Sequence, residues 1–341
     1  MKGRMILLDH IGAVEAAALM IDGQLDDLLV DSETAPRPGT IYRALADRPI
    51  KGQGGMFLKT PDGSAFLRQV KGLSPGQPIL VQVTGYAEDG KAIPVTQKIL
   101  FKSRYVIITP DAPGINISRS IRDDDLRDAL LEIDHGVIDG SEMGLILRSS
   151  CADADSDDIA SDSETMAALA RAVMADTVGP AEKLAEGDSP HTLAWRDWAD
   201  PAQVVQDKGC FAQNSVLEQI DMLASPRVAL AGGGALFIEP TRALVAVDVN
   251  TGPDTSLAAG IKANMAAARA LPRQLRLRGL GGQIVLDLAP MPKKDRRAFE
   301  TSLRAAFRSD QVDTALVGWT PLGHYELQRK RARIPTKEVL T

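Results

Sequence analysis

Two carboxylates and an amide mark the part of this sequence that could do chemistry. Asp248 and Asn250 close the run Ala243-Leu244-Val245-Ala246-Val247-Asp248-Val249-Asn250, and Asp287 closes the run Gln283-Ile284-Val285-Leu286-Asp287. Side chains alternate faces along a strand. Asp248 and Asn250 therefore project side by side, with Ala243, Val245, Val247 and Val249 on the opposite face. An oxygen-rich cluster of this kind suits Mg²⁺, which takes a few carboxylate oxygens, keeps several waters and is commonly completed by phosphate. Between the two runs, Arg269, Arg273 and Arg276 recur at helical spacing, a basic stripe able to hold a phosphate backbone. The chemistry implied is metal-assisted phosphodiester cleavage. Acids at strand ends are also often merely solvated, and residue types alone leave that alternative open.

Several elements must position these groups. Ala235-Leu236-Phe237-Ile238, a turn at Glu239-Pro240-Thr241 and the run ending at Asn250 read as a β-hairpin. Beyond Gly252-Pro253 the period changes, and Leu257, Ile261, Met265 and Ala268 predict a helix. Pro272 is expected to kink or restart that helix, and Gly279-Leu280-Gly281-Gly282 ends it. Strand, helix and strand then bring Asp248, Asn250 and Asp287 together, as a right-handed crossover would. A further helix is expected over about 293–308, with Ala298, Leu303, Ala306 and Phe307 facing inward.

The text around these residues, from Ala243 to Asn250 and from Arg273-Gln274-Leu275-Arg276-Leu277-Arg278 to Asp287, closely resembles the catalytic core of the ribonuclease E/G family. The match is far longer than a short motif. The resemblance implies that Asp248 and Asp287 hold a magnesium ion in a deoxyribonuclease-I-like subdomain, with Asn250 assisting; Mn²⁺ would substitute. It covers nearly the whole chain but only the family's N-terminal catalytic region. There are departures. Pro290 stands where the family often has an acid, Asp313 near a frequent arginine, and Pro321 where a basic residue is common.

The bulk properties agree with a folded, locally basic protein. The 341 residues are 44% hydrophobic and 25% charged, so two or more domains with full cores are expected. A net charge of −6 argues against a uniformly basic nucleic-acid binder. Residues 269–308, however, carry ten Lys/Arg against three Asp/Glu, which suits a localised phosphate-tracking surface. Cys151 and Cys210 form no CxxC pair, so no zinc site or disulfide framework is expected. The first residues are too quickly charged for a signal peptide, and no apolar run reaches membrane-spanning length. A cytoplasmic protein is expected. The family's CPxC segment, which shares a zinc ion between subunits, is not found, so the chain is expected to be a monomer or a homodimer joined through residues 226–341 without a zinc link.

The remaining segments follow the same resemblance. The fold class expected is mixed α/β with several subdomains. Residues 1–30 and 183–225 would form a discontinuous RNase-H-like subdomain, the former with a hairpin at Asp22-Gly23. Residues 31–105, short strands between turn residues, would form an OB-fold RNA-binding barrel. There Phe57 and Phe66 match base-stacking positions and Lys91 an RNA-contacting lysine; as residues, both phenylalanines are equally readable as core. Residues 106–182 would form a 5′-sensor subdomain. In it Gly144-Leu145-Ile146-Leu147-Arg148-Ser149 resembles the segment whose arginine and hydroxyl grip a 5′-monophosphate, although Arg148 also reads as a strand-end surface charge. Residues 226–341 would form the catalytic subdomain. The acids between Asp153 and Glu164 read as a solvated loop, followed by a capping box at Ser161 for a helix over about 162–176. Trp195 and Trp198 read as core or subdomain-interface residues. His10, His135, His191 and His324 show no ligand spacing.

The resemblance implies an Mg²⁺-dependent endoribonuclease acting on single-stranded RNA in RNA processing or decay, leaving 5′-phosphate and 3′-hydroxyl ends. The alternative is a non-catalytic or weakly active RNA-binding processing or assembly factor. Retention of all three cluster residues favours the enzyme.

Overall fold

Strand alternation and turn chemistry account for the start of the chain. The computed structural model describes residues 3–50, 54–70, 72–138 and 142–339, so residues 52–53 of a turn expected at Gly52 to Gly55, and the side chain of His135, lie outside the described residues. Strands β1 (Arg4–Ile11), β2 (Val14–Ile21) and β3 (Gln24–Val30) form an antiparallel meander. Asp22 and Gly23 alone link β2 to β3, both with positive φ (50° and 79°). That is the backbone of a two-residue turn whose twist matches its strands. The chain divides into two compact units, one of Met1–Asp31 with Ala202–Thr341 and one of Ser32–Pro201.

In the second unit, β4 (Ile41–Ile50), β5 (Gly55–Thr60), β6 (Gly63–Leu67), β7 (Pro78–Val83) and β8 (Ile93–Thr96) close into a five-stranded barrel. Its order is β4-β5-β6-β8-β7, with β7 returning to β4 and only β6–β8 parallel. Tyr42, Leu58, Ala65 and Val81 are fully buried within it. A second sheet contains β9 (Phe101–Lys102), β10 (Val106–Thr109), β11 (Gly114–Ile117) and β12 (Gly144–Leu147), in the order β11-β12-β10-β9. Helix α1 (Asp124–Ile138) lies between β11 and β12 in the chain, α2 (Ser156–Ala175) follows β12, and the sheet buries Ile108 and Leu145 beneath Leu130 and Ile159.

The acidic run is solvated as expected, but most of it is helix and not loop: Asp157, Asp158, Asp162 and Glu164 lie in α2. Asp155 caps α2 by accepting from the Asp157 N–H at 2.9 Å, and Asp157 and Asp158 lie in its first turn. Carboxylates there meet the unsatisfied amides and the positive end of the helix dipole. The expected cap at Ser161 is thus one and a half turns inside the helix. Next, β13 (Glu182–Ala185) pairs with β4, and α3 (Pro190–Asp197) starts at the Ser189 cap. Arg43 binds this return segment to the barrel through the Pro180 carbonyl (2.9 Å) and the carboxylates of Asp176 and Glu182. Residues 183–201, expected with the N-terminal strands, fall within the compact unit that contains the barrel.

The chain rejoins its N-terminal sheet at β14 (Gln203–Val205), parallel to β1. Short helices α4 (Cys210–Gln213) and α5 (Val216–Asp221) pack Phe211, Val216 and Ile220 beneath the meander. A six-stranded sheet follows: β15 (Arg227–Ala229), β16 (Ala235–Pro240), β17 (Val245–Asn250), β18 (Gly282–Asp287), β19 (Thr314–Trp319) and β20 (Tyr325–Arg329), in the order β15-β16-β17-β18-β20-β19. Helix α6 (Leu257–Leu277) joins β17 to β18, α7 (Arg296–Arg308) follows β18, and α8 (Thr336–Val339) is the last described element.

Helix α6 runs through Pro272 without a break. A proline removes one backbone hydrogen bond, but Leu271 and Leu275 on either side are 1% and 0% exposed, and that packing holds the helix. In α7 the buried face is Phe299, Leu303 and Phe307 at four-residue spacing. Ala298, expected inward, is exposed. The larger Phe299 takes the core position one residue on, where its burial removes more apolar surface from water.

Candidate active site

Parallel pairing places the two carboxylates side by side. β17 and β18 are hydrogen-bonded in parallel, and Asp248 and Asp287 are register partners. Neighbouring strands lie about 4.8 Å apart, so one divalent ion can reach both side chains. Val245, Val247, Val249, Ile284 and Leu286 turn inward against α6, which leaves Asp248, Asn250 and Asp287 on the exposed face. The geometry brings together all three residues of the sequence-predicted cluster.

Electrostatics mark this face as a place that favours a cation. Partial burial raises the Asp248 pKa, and the negative charges of Asp287 and Glu239 push it the same way. Like charges held together disfavour the ionised form until a cation compensates them. Among the described residues, no group of three or more His, Cys, Asp or Glu side chains is placed to hold a metal. Two adjacent carboxylates, open to solvent, are nonetheless a donor set of the kind Mg²⁺ accepts, with waters and phosphate completing the shell.

The surroundings fix these side chains. Asn250 Oδ1 accepts from the Gly252 N–H at 2.7 Å, which orients the amide and leaves its NH₂ group for a ligand. Gly252 has φ +76°, and a Cβ there would lie 2.9 Å from the Gly233 carbonyl oxygen, so the glycine permits the turn beside Asn250. Asn264, buried on α6, donates to the Ala289 carbonyl (2.9 Å) and accepts from the Ala289 N–H (3.0 Å). It clamps the backbone two residues beyond Asp287. Gly260 lets the helix approach the same segment, since a Cβ would stand 2.5 Å from the Pro290 oxygen. His324 Nδ1 lies 3.3 Å from Asp287 Oδ1. Sequence reading missed Asn264, Gly260 and His324. None carries a motif, and each acts through a partner that only the fold supplies.

The arginine stripe divides. Arg269 is exposed on α6. Arg273 donates to the Leu25 carbonyl through Nε at 3.0 Å and Nη2 at 2.5 Å. Arg276, its side chain 12% exposed, meets Asp26 at 3.2 Å, Asp27 at 3.4 Å and Asp310 at 3.6 Å. Arg329 and Arg333 join the same network through Asp310 and Asp27. Arg273, Arg276, Arg329 and Arg333 of the basic C-terminal third are therefore bound to acids of their own unit.

In the barrel unit, Phe57 and Phe66 are cross-strand partners whose neighbours Met56, Leu58, Ala65 and Leu67 point inward, so both rings lie on the outer surface, half-buried. Their centroids are 5.4 Å apart, and the Arg48 guanidinium sits 4.9 Å above the Phe57 ring. Lys91 is exposed and paired with Glu88. Arg148 donates to the Ser103 carbonyl and, at 2.9 Å, to Asp197, while Ser149 is exposed beside it. Burial alone would raise the Asp197 pKa, but hydrogen bonds and charge from Arg196 and Arg148 outweigh it and hold the carboxyl below its usual range. Trp198 is buried (2%), as a core residue should be, whereas Trp195 is 51% exposed and is not core.

The model of the ribonuclease E/G family matches residues 101–200 and 191–332. The chain is 28% identical over 377 residues to ribonuclease E of Synechocystis, covering 93% of this chain and 55% of that protein. It is 27% identical over 402 residues to ribonuclease G of Salmonella typhimurium, covering 98% of this chain and 81% of that protein. Ribonuclease G of Escherichia coli K12 is 26% identical with the same coverage. No helix among the described residues is long and apolar enough to cross a membrane.

Proposed function

The chain belongs to the ribonuclease E/G family, and on that premise we propose that it is an endoribonuclease that cleaves single-stranded RNA with Mg²⁺ in RNA processing or decay. The observation that carries the reading is the register pairing of Asp248 with Asp287 on an open sheet face. These two carboxylates would hold the ion, which supplies Lewis-acid polarisation of the phosphoryl group and activation of water. Asn250, oriented by Gly252, donates from its amide to a non-bridging phosphate oxygen. Asn264 and Gly260 keep the segment after Asp287 against α6, so the carboxylates stay in register. In-line attack by water with departure of the 3′ oxygen leaves 5′-phosphate and 3′-hydroxyl ends.

The barrel is assigned as an OB-type single-strand binding domain. Support comes from its closed order β4-β5-β6-β8-β7 and the outward Phe57–Phe66 pair beside Arg48. Arg148 and Ser149 are assigned to a weakened 5′-phosphate site, because Asp197 already engages the guanidinium.

The deciding experiment is cleavage of an end-labelled single-stranded RNA with Mg²⁺ or with excess EDTA. Cleavage that stops in EDTA and in Asp248→Asn supports the reading. RNA binding without cleavage at any Mg²⁺ or Mn²⁺ concentration leaves an RNA-binding factor.

A further inference from the structure

An exposed tryptophan held in one orientation presents an aromatic surface on which a planar ring can stack. Trp195 on α3 is 51% exposed, yet its surroundings hold it still. The Tyr105 ring meets it edge-on, with centroids 6.2 Å apart and planes at 77°. The Arg104 guanidinium lies 5.2 Å from the indole centroid and donates to the Trp195 carbonyl. Arg104 and Tyr105 are themselves anchored. Ser150 Oγ donates to the Arg104 carbonyl, Asp162 accepts from the Tyr105 N–H at 3.2 Å, and the Tyr105 carbonyl accepts from the Arg148 N–H at 2.8 Å.

Three arginines meet here, and they differ in charge balance. Arg148 is paired with Asp197, and Arg196 with Asp188 and Asp197. Arg104 has no carboxylate within ion-pair distance among the described residues, and its interactions are with a carbonyl and two aromatic rings. A guanidinium without a carboxylate partner beside a half-exposed indole matches a nucleotide: base on the ring, phosphate on the cation. An apolar protein partner would use the indole but gain nothing from the charge.

We propose that Trp195 and Arg104 form a nucleotide subsite in which the indole stacks an unpaired RNA base and Arg104 contacts the adjoining phosphate. The subsite rests on the reading of this chain as a binder of single-stranded RNA. Rigidity is what makes it effective, since a ring already fixed by Tyr105 and Arg104 loses little freedom on binding.

The test is the affinity of metal-free protein for an unstructured 12-mer RNA, followed by fluorescence anisotropy together with tryptophan quenching. Trp195→Leu keeps the apolar bulk and removes the stacking surface, and should weaken binding about 5- to 150-fold. Trp195→Phe should remain within a few-fold of wild type. Arg104→Gln should flatten the salt dependence by about 0.7 in log–log slope, the share of one phosphate contact on a single strand. RNA with one abasic position, scanned along the strand, should lose affinity for wild type at one register and not for Trp195→Leu. Wild-type affinity in Trp195→Leu, or saturation without quenching, overturns the subsite while leaving the nuclease reading intact if Asp248-dependent cleavage persists. Failure of the wild type to bind the RNA at all overturns both.

Discussion

Replacing Arg276 by alanine separates two roles for the arginines of α6. A residue that grips RNA can be removed with little effect on folding, whereas Arg276 occupies a buried charge network. Its side chain is 12% exposed, and its partners Asp27 and Asp310 are 3% and 0% exposed. Removing one member of a buried ion pair typically costs about 3–5 kcal/mol. Here Asp310 keeps Arg329 at 3.1 Å and Asp27 keeps Arg333, so the loss should be nearer about 2–3 kcal/mol. For a unit of this size that corresponds to a fall of roughly 5–10 °C in melting temperature. The pH dependence gives a second signature. Burial would raise the Asp27 pKa, but the charges of Arg333 and Arg276 lower it overall. A depressed carboxyl contributes stability above its unfolded value of about 3.9, and the contribution is lost as pH falls through the folded value. The gap between Arg276→Ala and wild type should therefore be full at pH 7 and begin to narrow only below about pH 4, as pH falls towards the depressed Asp27 value. Calorimetric melts at pH 7 and at a series of values below about pH 4 measure it, with Arg269→Ala, at an exposed position, as the control without a shift. An unchanged melt for Arg276→Ala, together with weakened RNA binding, would refute the network and return Arg276 to the RNA surface.

Five further outcomes are expected. Asp248→Asn and Asp287→Asn should each abolish cleavage while retaining RNA affinity in anisotropy titrations. Because its neighbours raise the Asp248 pKa, ionised Asp248 costs stability in metal-free protein above that pKa. Asp248→Asn should then melt slightly higher than wild type at pH 7 and match it in acid. The same shift makes Mg²⁺ displace protons from the site, so its affinity by calorimetry should fall as pH is lowered. Phe57→Ala and Phe66→Ala should weaken RNA binding by about 1–3 kcal/mol each with little change in melting temperature. RNA with a 5′-monophosphate should be cut modestly faster than 5′-hydroxyl RNA, and Arg148→Ala should remove the difference in a rate comparison.

What the sequence conveyed was local. The alternation Val245, Val247, Val249 against Asp248 and Asn250 fixes which side chains face out, and Asp22-Gly23 can hardly be anything but a tight turn. Spacing after Gly252 announces α6 for the same reason. The acidic run misled because aspartates at a helix start and in a solvated loop look alike until the cap is seen. The arginine stripe misled more deeply. Arg276 and Asp26 are 250 positions apart, and no pattern in either stretch reveals that they meet. His324 belongs with these, being invisible as a neighbour of Asp287 until β20 pairs with β18.

The first three strands belong to a unit whose other strands lie beyond Ala202. On the ribosome this imposes an order of events. The meander of residues 4–30 emerges with no partner for its buried face, since Phe211, Val216 and Ile220 have yet to be made. At about 5–20 residues per second, synthesis of the barrel unit keeps that face waiting for roughly 10–30 s. The barrel unit has all its own strands by Ala185 and can fold during the delay. Newly made chains should thus pass through a species with a finished barrel and an exposed N-terminal hairpin. That species is the natural target for a chaperone, and pulse proteolysis of stalled nascent chains should cut within residues 1–31 before the second half of the protein appears.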